Sequence, residues 1–346
     1  MLSDNLQAST TTSPYRSKWI EQIFQDKQET RLHEIFIPGT HDSATYNIST
    51  DSDVADIELD EKGQQTLKTA LKVAWSLGSL RIKLPREPFV KWAKAQSVTI
   101  KQQLETGIRF FDLRPCVKHY NSPNNIDWWI SHSIFSVPLD EVLRDIQDFL
   151  DKNSYEIVIL DLRFIWGLSQ LDRTVGSKAL YQKICDYLGE ERLIKLPPNS
   201  TIPTIGEIWK TSGRVLLLWD VSGNPKGSGV SQEFMKEHHF QDTINWAYIV
   251  GEGDEYNTSH KKIQRISQQL QEKQREEDFC LVKCEIDVGD SALDRISGSL
   301  EELAESNKSM ISHIQDEWSK RRKGAIFTFD YYNNCGVADT IIKLNG

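Results

Sequence analysis

The chain has 346 residues, of which 26% are charged, and a net charge of −9 at pH 7. This acidic balance argues against a general nucleic-acid binder, and no run of about 18 apolar residues is present to cross a membrane. The first residues lack a basic region followed by an apolar stretch, so a classical secretory signal is absent or has been removed. We therefore expect a cytoplasmic or secreted protein, with one barrel and its insertions as a suitable fold for this length.

The amino-terminal region predicts a tail, a short helix and a first strand. Residues 1–14 are rich in Ser and Thr, residues 16–30 contain apolar residues typical of a short helix, and residues 32–37 form an apolar strand-like run. We accordingly predict that residues 1–30 are a tail with a short helix, and that residues 31–346 form one catalytic domain.

A long insertion over residues 50–96 follows the first strand, and segments of this length inside a compact domain are often functional. Its second half is basic in an otherwise acidic chain, with Glu87 as the single acidic residue among residues 66–96. A solvated helix covering the barrel would account for this composition. The alternative is a membrane-interface element, in which basic side chains attract anionic lipid and Trp75 and Trp92 enter the headgroup boundary. The basic residues are Lys68, Lys72, Arg81, Lys83, Arg86, Lys91 and Lys94.

Beyond the insertion, apolar runs alternate with helical patterns, which indicates β/α units in a parallel sheet. The last helix is expected to begin at a capping box formed by Ser299 and Glu302. This alternation predicts an α/β fold, a distorted (β/α)8 barrel of the TIM type with an insertion after the first strand. The predicted strands are 107–113, 126–131, 156–163, 213–219, 279–286 and 324–330, and the predicted helices are 99–106, 139–152, 176–188 and 299–322.

The five cysteines do not predict a disulfide framework, because their number is odd and only Cys280 and Cys284 are close in sequence. These two lie in an apolar run without a second Cys or His pair at zinc spacing. We expect them to pack on a strand as small apolar side chains.

Two histidines follow short apolar runs: His41 comes after Ile35–Gly39, and His132 comes after Trp128–Ser131. Between them, Asp112 and Arg114 are two residues apart, which places both on one face of a strand. Chemistry in barrels collects at the carboxyl ends of the strands. One His can accept a proton from an attacking hydroxyl while the other supplies one to a leaving oxygen, and an Arg can stabilise the phosphate between them. This set predicts cleavage of a phosphodiester.

Several stretches resemble the catalytic X domains of phosphatidylinositol-specific phospholipases C. They occur in the family order and span about residues 30–346. The resemblance implies a barrel that cleaves phosphatidylinositol, or a glycosylated derivative, into diacylglycerol and inositol 1,2-cyclic phosphate at a membrane surface. The matching stretches are Ile37–Ser43, Gly107–Arg114, His132 with the preceding apolar run, Glu156–Arg163 and Gly324–Asp330.

Catalytic roles follow from the resemblance. It implies that His41 is the general base, oriented by Asp330, and that His132 is the general acid, assisted by Asp42. Arg114 would contact the phosphate.

Substrate-binding roles follow in the same way. Asp112 would hold Arg114 or a ring hydroxyl, and Arg163 and Asp242 would bind inositol hydroxyls. Arg163 stands where the family often has Lys, so the inositol pocket would differ in shape.

The chain departs from the family pattern at other positions. Ser131 and Ser133 flank His132, where bacterial members usually have His and Gly. The residue expected to stack on the sugar is Ile244, so Trp246 or Tyr248 would take that place.

The resemblance also implies that no metal or other cofactor is needed. Calcium-dependent members have acidic ligands where this chain has Arg114 and Arg163, and fixed guanidinium groups can hold phosphate but repel calcium. We expect a monomer that binds a membrane surface containing phosphatidylinositol and no nucleic acid. Two alternatives stay open: a metal-dependent glycerophosphodiester or sphingomyelin phosphodiesterase, and a catalytically weak lipid-binding or scaffolding protein.

Overall fold

A parallel β-sheet and a small antiparallel sheet organise the molecule. The computed structural model describes residues 14–55, 86–122, 125–168, 173–196, 201–219, 234, 247–249, 258–272, 279–285, 298–320 and 323–346. Its strands are β1 Phe36–Thr40, β2 Phe110–Asp112, β3 Pro115–Ser122, β4 Asn125–Ser131, β5 Phe135–Pro138, β6 Val158–Asp161, β7 Val215–Leu218, β8 Ala247–Ile249, β9 Cys280–Lys283 and β10 Ala325–Phe329.

Seven of these strands form a curled parallel sheet in the order β7-β6-β2-β1-β10-β9-β8. The fold is therefore an α/β barrel of the TIM type, as the sequence predicts. Strands β1 and β10 pair in register from Phe36 with Ala325 to Thr40 with Phe329, so the first and last parallel strands lie side by side. This pairing brings the two ends of the sequence to the centre of the sheet.

Helices cover the outer face of the sheet. Several agree closely with the sequence prediction, above all α4 and α5, because their apolar residues recur at helical spacing. The helices are α1 Pro14–Ser17, α2 Trp19–Phe24, α3 Glu87–Ala93, α4 Ile100–Glu105, α5 Leu139–Lys152, α6 Arg173–Leu188, α7 Ile205–Trp209, α8 Ser259–Glu272, α9 Leu300–Leu303, α10 Asn307–Asp316 and α11 Val337–Lys343.

Alternation along the strands separates two apolar layers. Residues such as Ile37, Phe110 and Ile326 pack together inside the curled sheet, whereas their neighbours Phe36 and Phe327 pack outward with the helices. Because strand side chains alternate with a period of two, the residues that continue the inner series beyond the carboxyl ends also lie inside the barrel. This alternation decides which polar side chains meet at the candidate site.

The amino end of the barrel is closed by helix α2. Trp19 is completely buried and belongs to the inner apolar layer. A buried ion pair holds this helix: Arg109 Nη2 lies 2.7 Å from Glu156 Oε2, and Glu156 Oε1 accepts a hydrogen bond from the backbone N–H of Glu21 at 3.0 Å. The helix predicted over residues 16–30 is instead two short helices, α1 and α2, and the second ends at Phe24.

Three further predictions about elements are wrong. Residues 32–37 are not a strand throughout, because Leu32–Glu34 form a 3-10 turn and β1 begins at Phe36. Residues 126–131 do not form a barrel strand, since β4 pairs antiparallel with β3 and β5. The predicted helix 299–322 is broken into α9, α10 and intervening 3-10 turns.

Other predictions fall partly or wholly outside the described residues. Residues 1–13 and most of the insertion, residues 56–85, are not described. Cys280 and Cys284 are buried on and next to β9, as predicted. Among the helices within the described ranges, none is both long and apolar enough to cross a membrane.

Candidate active site

Polar side chains replace the inner apolar layer at the carboxyl end of the barrel. His41, Asp112 and Asp330 lie there, and all three continue or end strands of the parallel sheet. Asp42, Asp112 and Asp330 are each at most 4% exposed. His41 contacts three other residues predicted to be catalytic: Asp42, Arg114 and Asp330.

Both ring nitrogens of His41 have partners. Nδ1 lies 2.9 Å from Asp330 Oδ1, and Nε2 lies 2.8 Å from Arg114 Nη2. A guanidinium is always a donor, so Nε2 must be the unprotonated nitrogen and Nδ1 must donate to the carboxylate. The carboxylate thus fixes the tautomer in which Nε2 can accept a proton.

Arg114 lies at the centre of the cluster. Its Nε is 2.6 Å from Asp42 Oδ1, and its Nη2 donates to Asp112 Oδ2 at 3.2 Å. Burial lowers the pKa of Arg114, but Asp42 and Asp112 more than offset this and hold it above its usual range. Arg114 in turn holds the pKa of Asp112 well below its usual range despite burial. The guanidinium is consequently a fixed positive charge beside His41.

His132 reaches the cluster from the antiparallel sheet, where it follows β4. Its Nδ1 lies 3.0 Å from the backbone oxygen of Ala93 and 3.3 Å from Asp42 Oδ2. The carbonyl requires a proton on Nδ1, which leaves Nε2 to exchange a proton with a ligand. The rings of His41 and His132 have their centroids 6.3 Å apart.

The two histidines differ in proton affinity. Burial lowers the pKa of His41, but the carboxylates of Asp42, Glu285 and Asp330 raise it to about 10. Burial lowers the pKa of His132 below its usual value, and Arg114 and His41 act in the same direction against Asp42. The contact with Arg114 opposes proton uptake at His41 Nε2, so protonation of His41 must displace the guanidinium from that nitrogen.

His41, Asp42 and Asp112 have ligand atoms within 4.8 Å of one another, close enough to hold a metal ion. Arg114, however, contacts each of these three side chains. A cation bound among them would have to displace the guanidinium and would be repelled by it. The side chains of this site therefore do not suit a divalent cation while Arg114 is in place.

Arg163 lies nearby but is already paired. Its Nε donates to Asp161 Oδ1 at 2.6 Å, and its Nη2 contacts Asp161 Oδ2. The ring of Phe164 lies between the two arginines, with its centroid 5.4 Å from Cζ of Arg114 and 5.9 Å from Cζ of Arg163. Binding of inositol hydroxyls by Arg163 stays a prediction.

Asp242 and Trp246, the other predicted substrate-binding residues, lie outside the described residues, as do Ile244 and Trp75. Trp92, which the sequence suggests as a membrane-inserting residue, is partly buried. It packs against a cluster of Ala95, Leu300, Ala304 and Tyr331.

Sequence analysis did not single out Glu285 or Gln96. Glu285 is 6% exposed and accepts a hydrogen bond from Thr328 Oγ1 at 3.1 Å. Alternation along Leu281, Lys283 and Glu285 was a usable signal, because it places Glu285 in the inner series beyond β9. Gln96 carried no such signal, since it lies in a connecting segment.

Each of three site residues is followed by a residue in left-handed backbone conformation. Asp42 follows His41 with φ 42°, Ser133 follows His132 with φ 61°, and Tyr331 follows Asp330 with φ 43°. These are the non-glycine residues with positive φ among the described ranges. Such conformations persist where the surrounding structure holds them, and they concentrate at functional sites. The family resemblance predicts Gly at the position of Ser133, and Gly adopts this conformation without strain.

The fold is an α/β barrel similar to that of bacterial phosphatidylinositol-specific phospholipases C. One such enzyme, a mutant from Staphylococcus aureus, superposes with a TM-score of 0.60 and 18% identity over 97% of this chain and 99% of the other. The enzyme from Listeria monocytogenes superposes with a TM-score of 0.58 and 20% identity over 96% and 99%. At these identities the likeness establishes the fold alone.

Sequence comparison identifies relatives of another kind. PI-PLC X domain-containing protein 2 of Mus musculus is 26% identical over 212 residues, which are 61% of this chain and 55% of the relative. PI-PLC X domain-containing protein 3 of Danio rerio is 31% identical over 153 residues, 44% and 43% of the two chains. No family model matches. The chain is thus similar in sequence to PI-PLC X domain-containing proteins over part of its length, and the matched region spans little more than half of the mouse relative.

Proposed function

We propose that the protein cleaves phosphatidylinositol, or a glycosylated derivative, between phosphate and diacylglycerol. The observation that carries this proposal is the arrangement around His41: Asp330 on Nδ1 at 2.9 Å, Arg114 on Nε2 at 2.8 Å, and His132 across a 6.3 Å ring separation. This arrangement supplies an oriented base, a phosphate-binding cation and a second histidine that can act as the acid.

In the proposed step, the inositol 2-hydroxyl attacks phosphorus. His41 Nε2 accepts the hydroxyl proton while the new O–P bond forms. The bond from phosphorus to the diacylglycerol oxygen breaks, and His132 Nε2 donates a proton to that oxygen. The products are diacylglycerol and inositol 1,2-cyclic phosphate.

Arg114 would have two roles in this step. Phosphate oxygens draw the guanidinium toward the substrate, which frees His41 Nε2, and its charge stabilises the negative charge that develops on the phosphate. Asp42 and Asp112 also contact the guanidinium, through its Nε and Nη2. We propose that the reaction needs no metal, because Arg114 contacts each side chain of the cluster that would otherwise bind one.

The protein would act as a peripheral enzyme at a membrane surface that contains the lipid. Cleavage of a lipid requires that the site approach the headgroup layer, and the basic residues of the insertion would favour an anionic surface. Residues 86–94 of this region include Arg86, Lys91 and Lys94 on and beside helix α3.

A direct test is incubation with phosphatidylinositol vesicles, with and without a chelator, followed by analysis for cyclic inositol phosphate. We expect chelator-insensitive product, and a loss of about 10²- to 10⁴-fold in kcat for either His41→Ala or His132→Ala. Full activity in either variant would refute the mechanism. Activity lost in chelator would indicate a metal-dependent phosphodiesterase, and vesicle binding without turnover would indicate a lipid-binding protein.

A further inference from the structure

A short segment at the carboxyl end of helix α3 touches three loops that carry candidate catalytic residues, those of His41, His132 and Asp330. We call residues 93–96 the strap. The backbone oxygen of Ala93 contacts His132 Nδ1 at 3.0 Å, and the backbone oxygen of Ala95 accepts from the N–H of Tyr331 at 2.8 Å. The N–H of Ala95 donates to Thr45 Oγ1 at 3.0 Å. The strap therefore lies against three separate loops at the carboxyl end of the barrel.

Gln96 makes the most direct of these connections. Its side chain is completely buried, and its Nε2 donates to the backbone oxygens of His41 at 2.9 Å and of Phe329 at 2.8 Å. Both carbonyl oxygens need a hydrogen-bond donor, so the atom of the Gln96 amide that faces them is assigned as nitrogen and not as oxygen. Gln96 Oε1 has no hydrogen-bond partner among the described residues, so the two N–H bonds alone orient the amide.

These two carbonyls belong to the peptides that set the catalytic side chains. The His41 carbonyl is part of the peptide leading to Asp42, whose φ of 42° is strained for a non-glycine residue. The Phe329 carbonyl is part of the peptide leading to Asp330. The ladder of β1 and β10 ends here, where the N–H of His41 donates to the Phe329 oxygen at 3.1 Å. Gln96 thus bridges the two strand ends at the point where His41 and Asp330 must meet.

We propose that Gln96 is a positioning residue that holds the peptides of His41 and Phe329 so that His41 and Asp330 stay in hydrogen-bond contact. It acts through the backbone and touches no substrate. Its contribution to turnover rests on the proposed function, whereas its effect on the His41 to Asp330 contact can be measured in the free protein.

The test compares Gln96→Met, which keeps the length and removes both N–H donors, with Asn345→Leu. Asn345 binds the backbone N–H and C=O of Phe36, both at 2.8 Å, at the opposite end of the same strand. Both variants lose side-chain hydrogen bonds to the backbone at one end of β1. Only Gln96→Met loses them at the end where His41 lies. Gln96→Asn, whose shorter side chain withdraws the donors, serves if the methionine variant does not fold.

Two readouts decide the result: kcat per folded molecule, and the low-field NMR resonance of the His41 Nδ1 proton shared with Asp330. We expect Gln96→Met to lower kcat by about 10- to 100-fold with KM within about twofold, and to shift or broaden the resonance, while Asn345→Leu leaves both unchanged. Equal effects of the two variants, or an unchanged resonance in Gln96→Met, would overturn the proposal. If the wild-type protein shows no turnover, the proposed function fails and the resonance still decides this inference.

Discussion

His41 Nδ1 and Asp330 Oδ1 lie 2.9 Å apart although 289 residues separate them in the chain. The pair forms because β1 and β10 are neighbours in the sheet, and each residue follows its strand. The carboxylate gives His41 the tautomer and the basicity that the proposed reaction requires, so it offers the most direct point for substitution.

Asp330→Asn should lower kcat strongly. The amide oxygen can still accept from Nδ1, but the negative charge that stabilises the imidazolium is lost, and the amide can also turn its N–H group to the ring. We expect a decrease of about 10²- to 10⁴-fold, measured as release of cyclic inositol phosphate. Asp316→Asn, on the exposed face of α10, is the matched control. A kcat equal to that of the control would remove Asp330 from the mechanism.

Arg114→Ala should convert the cluster into a cation site. The change removes the guanidinium that contacts both buried carboxylates, Asp42 and Asp112, so we expect the free energy of unfolding to fall by about 3–5 kcal/mol. Added Ca²⁺ or Mn²⁺ should recover part of this loss, because the ligand atoms of His41, Asp42 and Asp112 lie within 4.8 Å of one another. Thermal unfolding with and without the cation measures both effects. A wild-type Tm that rises as much as that of the variant would contradict the role given to Arg114.

The rate of cleavage should have a bell-shaped dependence on pH. The step needs one proton on the pair His41 and His132. The two apparent pKa values of the profile belong to this pair and not to either residue alone. The pKa of His132 is lowered and that of His41 is raised to about 10. With increasing pH, the rate should therefore rise at a pH below the usual histidine pKa and fall as the pH approaches about 10. This profile is measured as kcat against pH.

Glu285→Gln tests the origin of the alkaline limb. Gln can still accept the hydrogen bond from Thr328 but lacks the charge that raises the pKa of His41. The pKa of His41 should therefore fall, which moves the alkaline limb to lower pH. Glu272→Gln, exposed at the end of α8, should not move it. An alkaline limb at the same pH in both variants would exclude Glu285 as its cause.

Ser133→Gly should stabilise the protein. The left-handed conformation costs a non-glycine residue at φ 61° about 1–2 kcal/mol, and glycine removes this cost. Glycine also adds conformational entropy to the unfolded chain, which offsets about 0.5–1 kcal/mol of the gain. We expect the free energy of unfolding, measured in urea, to increase by up to about 1 kcal/mol. The same substitution at Ser312, on the exposed face of helix α10, should cost about 1 kcal/mol. A loss of stability at Ser133 would mean that its side chain contributes more than the strain costs.

The sequence by itself determined the class of fold and predicted most of the residues that meet at the candidate site. Alternating apolar strands and helical segments predicted the barrel, and the stretches around His41 and Arg114 indicated the resemblance to phospholipase C X domains. Both ends of helix α5 were predicted correctly because its apolar residues recur at helical spacing. Local periodicity and short motifs need no knowledge of distant parts of the chain.

Only the tertiary structure decided how these residues meet. The antiparallel pairing of β4, the pairing of Arg163 with Asp161, and the approach of Glu285 to His41 all depend on which strands become neighbours. The contacts of Gln96 with the His41 and Phe329 carbonyls join it to residues that are 55 and 233 positions away in the chain. Such contacts arise from sheet order and register, and these are set by the packing of the whole chain.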